Sequence, residues 1–421
     1  SAEFPVFFHI YHLLYCHFLP METKKMSKKP ETISLGYSTI YSFYDILQQK
    51  KSKMLFSLYA NKEQEMIVKS QVLKLPEPFI TEKGGVIKEA VVAYEEYGKK
   101  EGPTVLITHG GLSSHHAAGR YSPQDPLPGF WDDLIGPEKA IDTNRFRVLS
   151  ANSLGSMYGS SSPLTLNPDT GKPYGPDFPD ITLIDMVRYH KAFLDQMGVS
   201  RLFMMAGPSM GSLQALQMAA LYPDYVDSVA AVATAGRMTP SGMCIHHFMI
   251  NALQMDPAFN NGRYEIGAPK LALRLIQQVA RIYYTHERYV KEKCWDSVPE
   301  GRDSQEKRNA NARDYLQIGV EEQIEGRDPN CYIRVLNAIN GYDLGRDVQN
   351  YEKGVQRIKC PVLLINISTD SEFPPYWAEE VAEIINRKNP GQAQVKIIDS
   401  PWGHMGCVQE GMAVSYTHLT L

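Results

Sequence analysis

The sequence predicts an α/β fold: a mostly parallel central sheet flanked by helices, with an inserted helical cap. Three observations carry that expectation. Short apolar runs alternate with longer amphipathic stretches, the pattern of strands joined by crossover helices. The run Cys360-Pro361-Val362-Leu363-Leu364-Ile365-Asn366-Ile367 is apolar on successive residues rather than on every second one, as suits a parallel strand buried on both faces. Gly207-Pro208-Ser209-Met210-Gly211 stands between an apolar run at 202–206 and a helical pattern at 212–221, which makes a strand, a tight glycine-framed turn and a helix.

Residues 90–97 alternate as an early strand, and 105–108 and 147–150 are apolar enough for central strands. Over 182–198 the spacing predicts an amphipathic helix whose apolar face is Leu183, Met186, Val187, Phe193, Leu194 and Met197, a pattern that means core. Residues 228–233 form the strand after a helix that stops before Pro223. Over 236–343 the chain loses strand character and turns helical, most clearly at 271–284. Because that block lies between core strands, it is read as a cap over the active site. The last strands are 360–367 and 395–398. The chain thus divides into an N-terminal extension (1–60), a first core part (61–235), the cap (236–343), a second core part (344–411) and a tail (412–421). No internal repeat is visible.

At 421 residues with a net charge of −4, the chain is long enough for one large capped domain and shows no electrostatic footprint for nucleic acid or an acidic membrane surface. Its six cysteines, Cys16, Cys244, Cys294, Cys331, Cys360 and Cys407, have neither metal-ligand nor redox spacing. They are expected to be reduced thiols of a cytoplasmic protein, with no disulfide framework and no metal. The segment 1–20 is apolar and aromatic but carries His9, His12 and His17 and no basic flank. It suits neither a signal peptide nor a membrane span, so translation is expected to start at Met21. Residues 413–421 read like translated sequencing adapter. That would leave the native C-terminal helix truncated and His418 without a role.

The glycine-framed turn holds the chemistry. Such an elbow exposes its serine at the carboxyl edge of the sheet, and its glycines are needed where side chains would collide with neighbouring strand or helix. Ser209 then faces substrate at a helix N-terminus, where backbone amides favour an oxyanion. Partners follow in the order nucleophile, acid, histidine that marks an α/β-hydrolase fold. Strand 360–367 ends in Ser368-Thr369-Asp370, and strand 395–398 leads into Asp399-Ser400-Pro401-Trp402-Gly403-His404. Ser209, His404 and Asp370 therefore take the roles of nucleophile, general acid/base and orienting carboxylate. Asp399 is the rival acid, but it shares a strand and loop with the histidine, whereas the acid usually comes from the preceding strand. For the oxyanion, Met210 offers one amide. The loop His109-Gly110-Gly111-Leu112-Ser113-Ser114 offers the second, from Leu112 first and Gly111 next. His109 is read as structural.

From 90 to 407 the chain resembles the homoserine O-acetyltransferase family of α/β-hydrolase-fold enzymes. The resemblance rests on Trp131-Asp132-Asp133-Leu134-Ile135-Gly136-Pro137, on Ala140-Ile141-Asp142-Thr143, and on Asn167-Pro168-Asp169-Thr170-Gly171-Lys172-Pro173-Tyr174-Gly175-Pro176-Asp177-Phe178-Pro179. It also rests on the elbow extended through Ser212-Leu213-Gln214-Ala215, on Asp343-Leu344-Gly345, and on the motif that ends in His404. The resemblance implies a ping-pong acyl transfer, in which the serine takes an acyl group from acyl-CoA as co-substrate and an alcohol activated by the histidine removes it. It implies no bound cofactor, a small-molecule substrate, and a homodimer through the cap.

The departures from the family bear on the acceptor. An aspartate that helps bind the acceptor's ammonium follows the family's histidine, and here Met405 stands there. An arginine that pairs the acceptor's carboxylate lies on the family's cap helix, and its position falls on Ile250. The oxyanion loop differs too, with Leu112-Ser113-Ser114-His115-His116 in place of a threonine or serine, glycine and aspartate run. Losing either partner of a zwitterion in a low-dielectric pocket costs several kcal/mol, so the acceptor is expected to be an alcohol other than homoserine. Arg237 or Arg263 is a nearby substitute for the arginine, with a surface role the simpler reading. A carboxylic-ester hydrolase using the same three residues is the first rival, and a non-catalytic binding protein the second.

Overall fold

In the computed structural model, which describes residues 66–411 apart from 266 and 268, the core is an eight-stranded sheet. The expected extension over 1–60, the start at Met21, Cys16 and the tail 412–421 lie outside the described residues. The strands are β1 (Gln71–Lys74), β2 (Val91–Gly98), β3 (Thr104–Thr108), β4 (Arg147–Ala151), β5 (Met204–Pro208), β6 (Val229–Val232), β7 (Val362–Ile367) and β8 (Ala393–Ile398). Helices of eight residues or more are α1 (Leu183–Gln196), α2 (Met210–Leu221), α3 (Pro240–Met255), α4 (Lys270–Tyr284), α5 (Ser304–Gln317), α6 (Pro329–Asn340) and α7 (Pro375–Lys388).

Across the sheet the order is β1-β2-β4-β3-β5-β6-β7-β8. β2 pairs antiparallel with both β1 and β4, and every pairing from β4 through β8 is parallel. Burial follows this topology. β3, β6 and β7 are buried at every position, whereas the edge strand β8 alternates apolar residues with Gln394 and Lys396. A charged, partly exposed edge discourages pairing with another chain.

Local chemistry sets the element ends. Thr182 caps α1 by accepting from the Asp185 amide, and Asp185 accepts in return from the Thr182 amide, which satisfies two otherwise orphaned donors. Gly198, at φ 72°, turns the chain out of that helix just after Met197. β5 runs two residues past the apolar stretch that announces it, because Gly207 and Pro208 pair with Ala231 and Val232. α2 starts at Met210 rather than Ser212, directly on the elbow. It is buried over most of its length, being sandwiched between the sheet and α1.

Between β6 and β7 lie α3 to α6 with shorter helical turns. They build a second apolar cluster of their own, including Met249, Ile250, Leu253, Leu273, Ile276, Tyr332 and Leu336, into which Met157 inserts from the sheet side. No helix among the described residues is long and apolar enough to cross a membrane.

Candidate active site

Ser209 sits where β5 becomes α2, at φ 54° and ψ −127°, a conformation that costs energy for a residue with a Cβ and persists only where its surroundings enforce it. The enforcement is visible. A Cβ on Gly207 would come within 2.4 Å of the Thr108 carbonyl oxygen, and one on Gly211 within 2.2 Å of the same atom. Both positions therefore have to be glycine for α2 to start this close to β3. The Ser209 amide donates to the Val232 carbonyl at 2.8 Å, and the Ser212 hydroxyl donates to the Ser209 carbonyl at 2.6 Å.

The loops after β7 and β8 bring two more residues to the same rim. His404 Nε2 lies 2.9 Å from Ser209 Oγ, and Nδ1 lies 2.8 Å from Asp370 Oδ2. Asp370 Oδ1 accepts from the amides of Glu372 and Phe373 at 2.8 and 3.0 Å, so the carboxylate is held by its own turn. Asp399 is placed elsewhere. Its carboxylate is exposed and accepts from Arg288 and Ser368, both at 2.8 Å.

A second carboxylate faces the imidazole. Glu372, buried at the start of the turn into α7, sets Oε2 3.1 Å from His404 Nε2 and Oε1 3.1 Å from Nε2 of His246 on α3. His246 Nδ1 in turn lies 2.8 Å from Asn340 Oδ1. Burial pulls the His404 pKa down, but the charges of Asp370 and Glu372 and the hydrogen bond to Asp370 outweigh it and carry it to about 9. The Tyr284 and Cys407 side chains beside it are pushed well up, by burial first and then by these carboxylates, and stay neutral.

The Met210 N–H is one of the orphaned donors of a helix start. The Leu112 N–H has no acceptor among the described residues, while the Leu112 carbonyl accepts from Arg327 of the cap. Gly110 lies against the elbow, its missing Cβ 3.6 Å from Ser209 Cβ. His109 is wholly buried beneath the loop. It accepts from the Ser153 amide at Nε2 and donates to the Gly110 carbonyl, and burial lowers its pKa to about 3, so it stays neutral.

These groups open on a cavity of about 240 Å³, below the roughly 300–1,000 Å³ of drug-sized ligand sites, so it suits a small substrate. Phe130, Tyr284, Leu336, Ile339, Phe373, Met405 and Val408 make its walls largely apolar, and neither lysine nor arginine lines it among the described residues. Met405 is thus at the cavity, next to His404. Ile250 is not: it packs in the cap's own core, because α3 turns His246 rather than Ile250 toward the site. Arg237 pairs with Glu380 at 3.0 Å and lies over the Tyr351 ring, and Arg263 pairs with Asp177 at 3.0 Å, so neither reaches the cavity. Glu372, His246 and Tyr284 escaped the sequence reading. Glu372 had a signal, a carboxylate two residues past the candidate acid on the same loop, whereas His246 and Tyr284 sit in helical patterns indistinguishable from cap core. Among the described residues no cluster of His, Cys, Asp or Glu is placed to hold a metal.

Comparison with known proteins agrees with this architecture. A family model described as the α/β-hydrolase fold matches residues 103–410. The homoserine O-acetyltransferase of Moorella thermoacetica is 36% identical over 328 residues, which span 77% of this chain and 87% of that enzyme. Among solved structures, esterase E22 is similar with a TM-score of 0.76 at 29% identity, covering 84% of this chain and 100% of that one. The homoserine O-acetyltransferase of Bacillus anthracis follows with a TM-score of 0.77 at 25% identity, covering 84% and 98%. Shared sequence over most of both chains, on the same sheet, makes this protein a member of the homoserine O-acetyltransferase family of α/β-hydrolase-fold enzymes, and so an acyltransferase or hydrolase.

Proposed function

We propose that the protein is a serine acyltransferase that forms an acyl-enzyme on Ser209 from acyl-CoA and passes the acyl group to a small alcohol other than homoserine. The observation that carries this reading is the hydrogen-bonded line from Ser209 Oγ through His404 to Asp370 at the wall of an apolar cavity. In it, His404 Nε2 takes the Ser209 proton as Oγ attacks the acyl carbonyl, and the Met210 and Leu112 amides receive the oxyanion. The leaving thiol takes the proton, and the alcohol then repeats the sequence in reverse. With Met405 beside His404 and neither lysine nor arginine among the described residues that line the cavity, the carboxylate of a zwitterion would be buried without a guanidinium or ammonium partner, a cost of several kcal/mol. Helices α3, α4 and α6 supply His246, Tyr284, Leu336 and Ile339 to the cavity wall beside the serine, where transfer over hydrolysis requires the alcohol to be positioned ahead of water.

A carboxylic-ester hydrolase with the same roles is the second reading, favoured by the likeness to esterase E22. Mass spectrometry of the protein mixed with acetyl-CoA, with and without a panel of alcohols, separates the two while acetate release is followed. An adduct on Ser209 discharged faster by an alcohol is the expected result. Decay to acetate at one rate regardless of alcohol makes the protein a hydrolase, and no adduct from any CoA or simple ester removes both readings.

The free thiols of Cys244, Cys294, Cys331, Cys360 and Cys407 support a reducing compartment, the cytoplasm. A homodimer through the cap belongs to the same proposal. Phe248 and Met255 on α3, and Leu271, Leu275 and Ile282 on α4, are exposed at spacings that keep each set on one helix face.

A further inference from the structure

We propose that Glu372 is the substrate-recognition carboxylate of the cavity and that it selects a small cationic amino alcohol, or the acyl ester of one, in which a protonated or quaternary amine carries no accompanying carboxylate. This rests on Ser209 being the acyl-accepting nucleophile and adds the chemical class of what reacts there.

Proton bookkeeping at His404 leads to the proposal. With Nδ1–H donated to Asp370, Nε2 of a neutral imidazole presents a lone pair, and only that form can take the Ser209 proton. Yet Nε2 has Ser209 Oγ at 2.9 Å and Glu372 Oε2 at 3.1 Å. Two lone pairs facing each other at that distance repel, so an anionic Glu372 holds a proton on Nε2 and keeps the base occupied. A cation bound beside Glu372 removes that constraint. It answers the carboxylate and disfavours the imidazolium by like-charge repulsion, freeing Nε2 as the substrate arrives.

The cavity fits such a ligand. Among the described residues Glu372 is the carboxylate that lines it, and neither lysine nor arginine does, so a cation there competes for Glu372 only with the histidines beside it, His404 and His246. The ring of Tyr284 centres 5.3 Å and that of Phe373 5.7 Å from the His404 ring, and Phe130 closes another side. Aromatic faces around a carboxylate recognise substituted ammonium groups. His246 Nε2, 3.1 Å from Oε1, holds the carboxylate with Oε2 turned toward Nε2 of His404. When Nε2 of His404 gives up its proton, the buried carboxylate loses that positive neighbour, a costly state, and a substrate ammonium supplies a replacement of opposite charge.

In the transfer direction the amino alcohol lies with its ammonium at Glu372 and its hydroxyl at Nε2. The hydroxyl proton goes to Nε2 as its oxygen bonds the acyl carbon of acyl-Ser209. The bond from that carbon to Oγ then breaks, and Oγ recovers the proton from Nε2. In the reverse direction, or with water as acceptor, the ester of the same amino alcohol acylates Ser209.

The test compares acetylcholine with its neutral isostere 3,3-dimethylbutyl acetate, in kcat/KM, for the wild-type protein and Glu372→Gln. The expected result is a wild-type preference for the cationic ester of about tenfold or more that falls to near unity in the variant. Equal use of the two esters by the wild type, or a preference that survives Glu372→Gln, overturns the proposal. Should Glu372→Gln not fold, tetramethylammonium should change the rate of fluorophosphonate labelling of wild-type Ser209, faster where it frees Nε2 and slower where it fills the cavity, while tert-butanol at the same concentration does not, and an equal effect of the two overturns the proposal. The neutral ester and the label separate the two levels. Reaction with both but no cation effect leaves Ser209 chemistry standing without this specificity, whereas reaction with neither removes the nucleophile and the proposal together.

Discussion

At the scale of single residues, the line Ser209–His404–Asp370 and the intruding Glu372 make distinct demands. Ser209→Ala should abolish fluorophosphonate labelling and lower ester turnover by on the order of a thousandfold or more, and persistent labelling would take the nucleophile's role from it. Asp370→Asn should be severe yet leave measurable turnover, since Glu372 still faces the imidazolium from the other side. Asp399→Asn should leave turnover near the wild-type rate, because that carboxylate is exposed and pairs with Arg288 instead. A rate loss from Asp399→Asn exceeding that of Asp370→Asn would reverse the acid assignment. The pH dependence follows from charge. The groups against His404 are Asp370 and Glu372, which raise its pKa to about 9, His246 beyond Glu372, and Tyr284 and Cys407, both neutral. A raised pKa means that the base form is scarce at pH 7 and grows as pH climbs, so kcat/KM for a neutral ester should increase through about pH 9 and then level off. In Glu372→Gln that rise should move to lower pH. A flat wild-type profile from pH 7 upward would show that the carboxylates do not hold the proton there.

At the scale of elements, the cap is where sequence pattern and function part company. Its helices carry apolar residues for three destinations: the cap's own core around Met249, Ile250 and Leu273, the cavity wall at Leu336 and Ile339, and the exposed faces of α3 and α4. Ile250 is expected at the substrate because the family's arginine position falls on it, and it proves to be core because α3 turns His246 toward the cavity instead, a choice among these destinations that helical periodicity does not name. The outward face makes its own prediction. Leu275→Asp, at a position that is 45% exposed, should leave ester turnover by each active site intact while shifting a dimer to monomer in light scattering. If the wild type is already monomeric at micromolar concentration, the apolar faces of α3 and α4 serve something other than self-association. The loop that carries Leu112 is also tied to the helical segment between β6 and β7, through Arg327 to the Leu112 carbonyl.

At the scale of the whole molecule, the order β1-β2-β4-β3-β5-β6-β7-β8 sets the carboxyl ends of β5, β7 and β8 on one rim. Residues 195 positions apart can therefore share a hydrogen bond. Much of this was legible beforehand. Parallel strands buried on both faces announce themselves as apolar runs, and the elbow glycines, whose Cβ atoms would strike Thr108, report a backbone approach that only glycine permits. β1 was not legible, because Gln71–Lys74 is mostly exposed and has no apolar run. Nor was α7, which opens on Pro375 and whose buried face includes the small residues Ala378 and Ala382. By itself, then, the sequence determined the fold class, the glycine-framed turn at Ser209 and the chain order in which Asp370 and His404 follow it, since these depend on local periodicity and on backbone conformations few residues can adopt. Tertiary structure alone decided that Ile250 is core and that Glu372 and His246 share the cavity. Those outcomes depend on which way each side chain leaves its loop or helix and on what the crossing elements set against it.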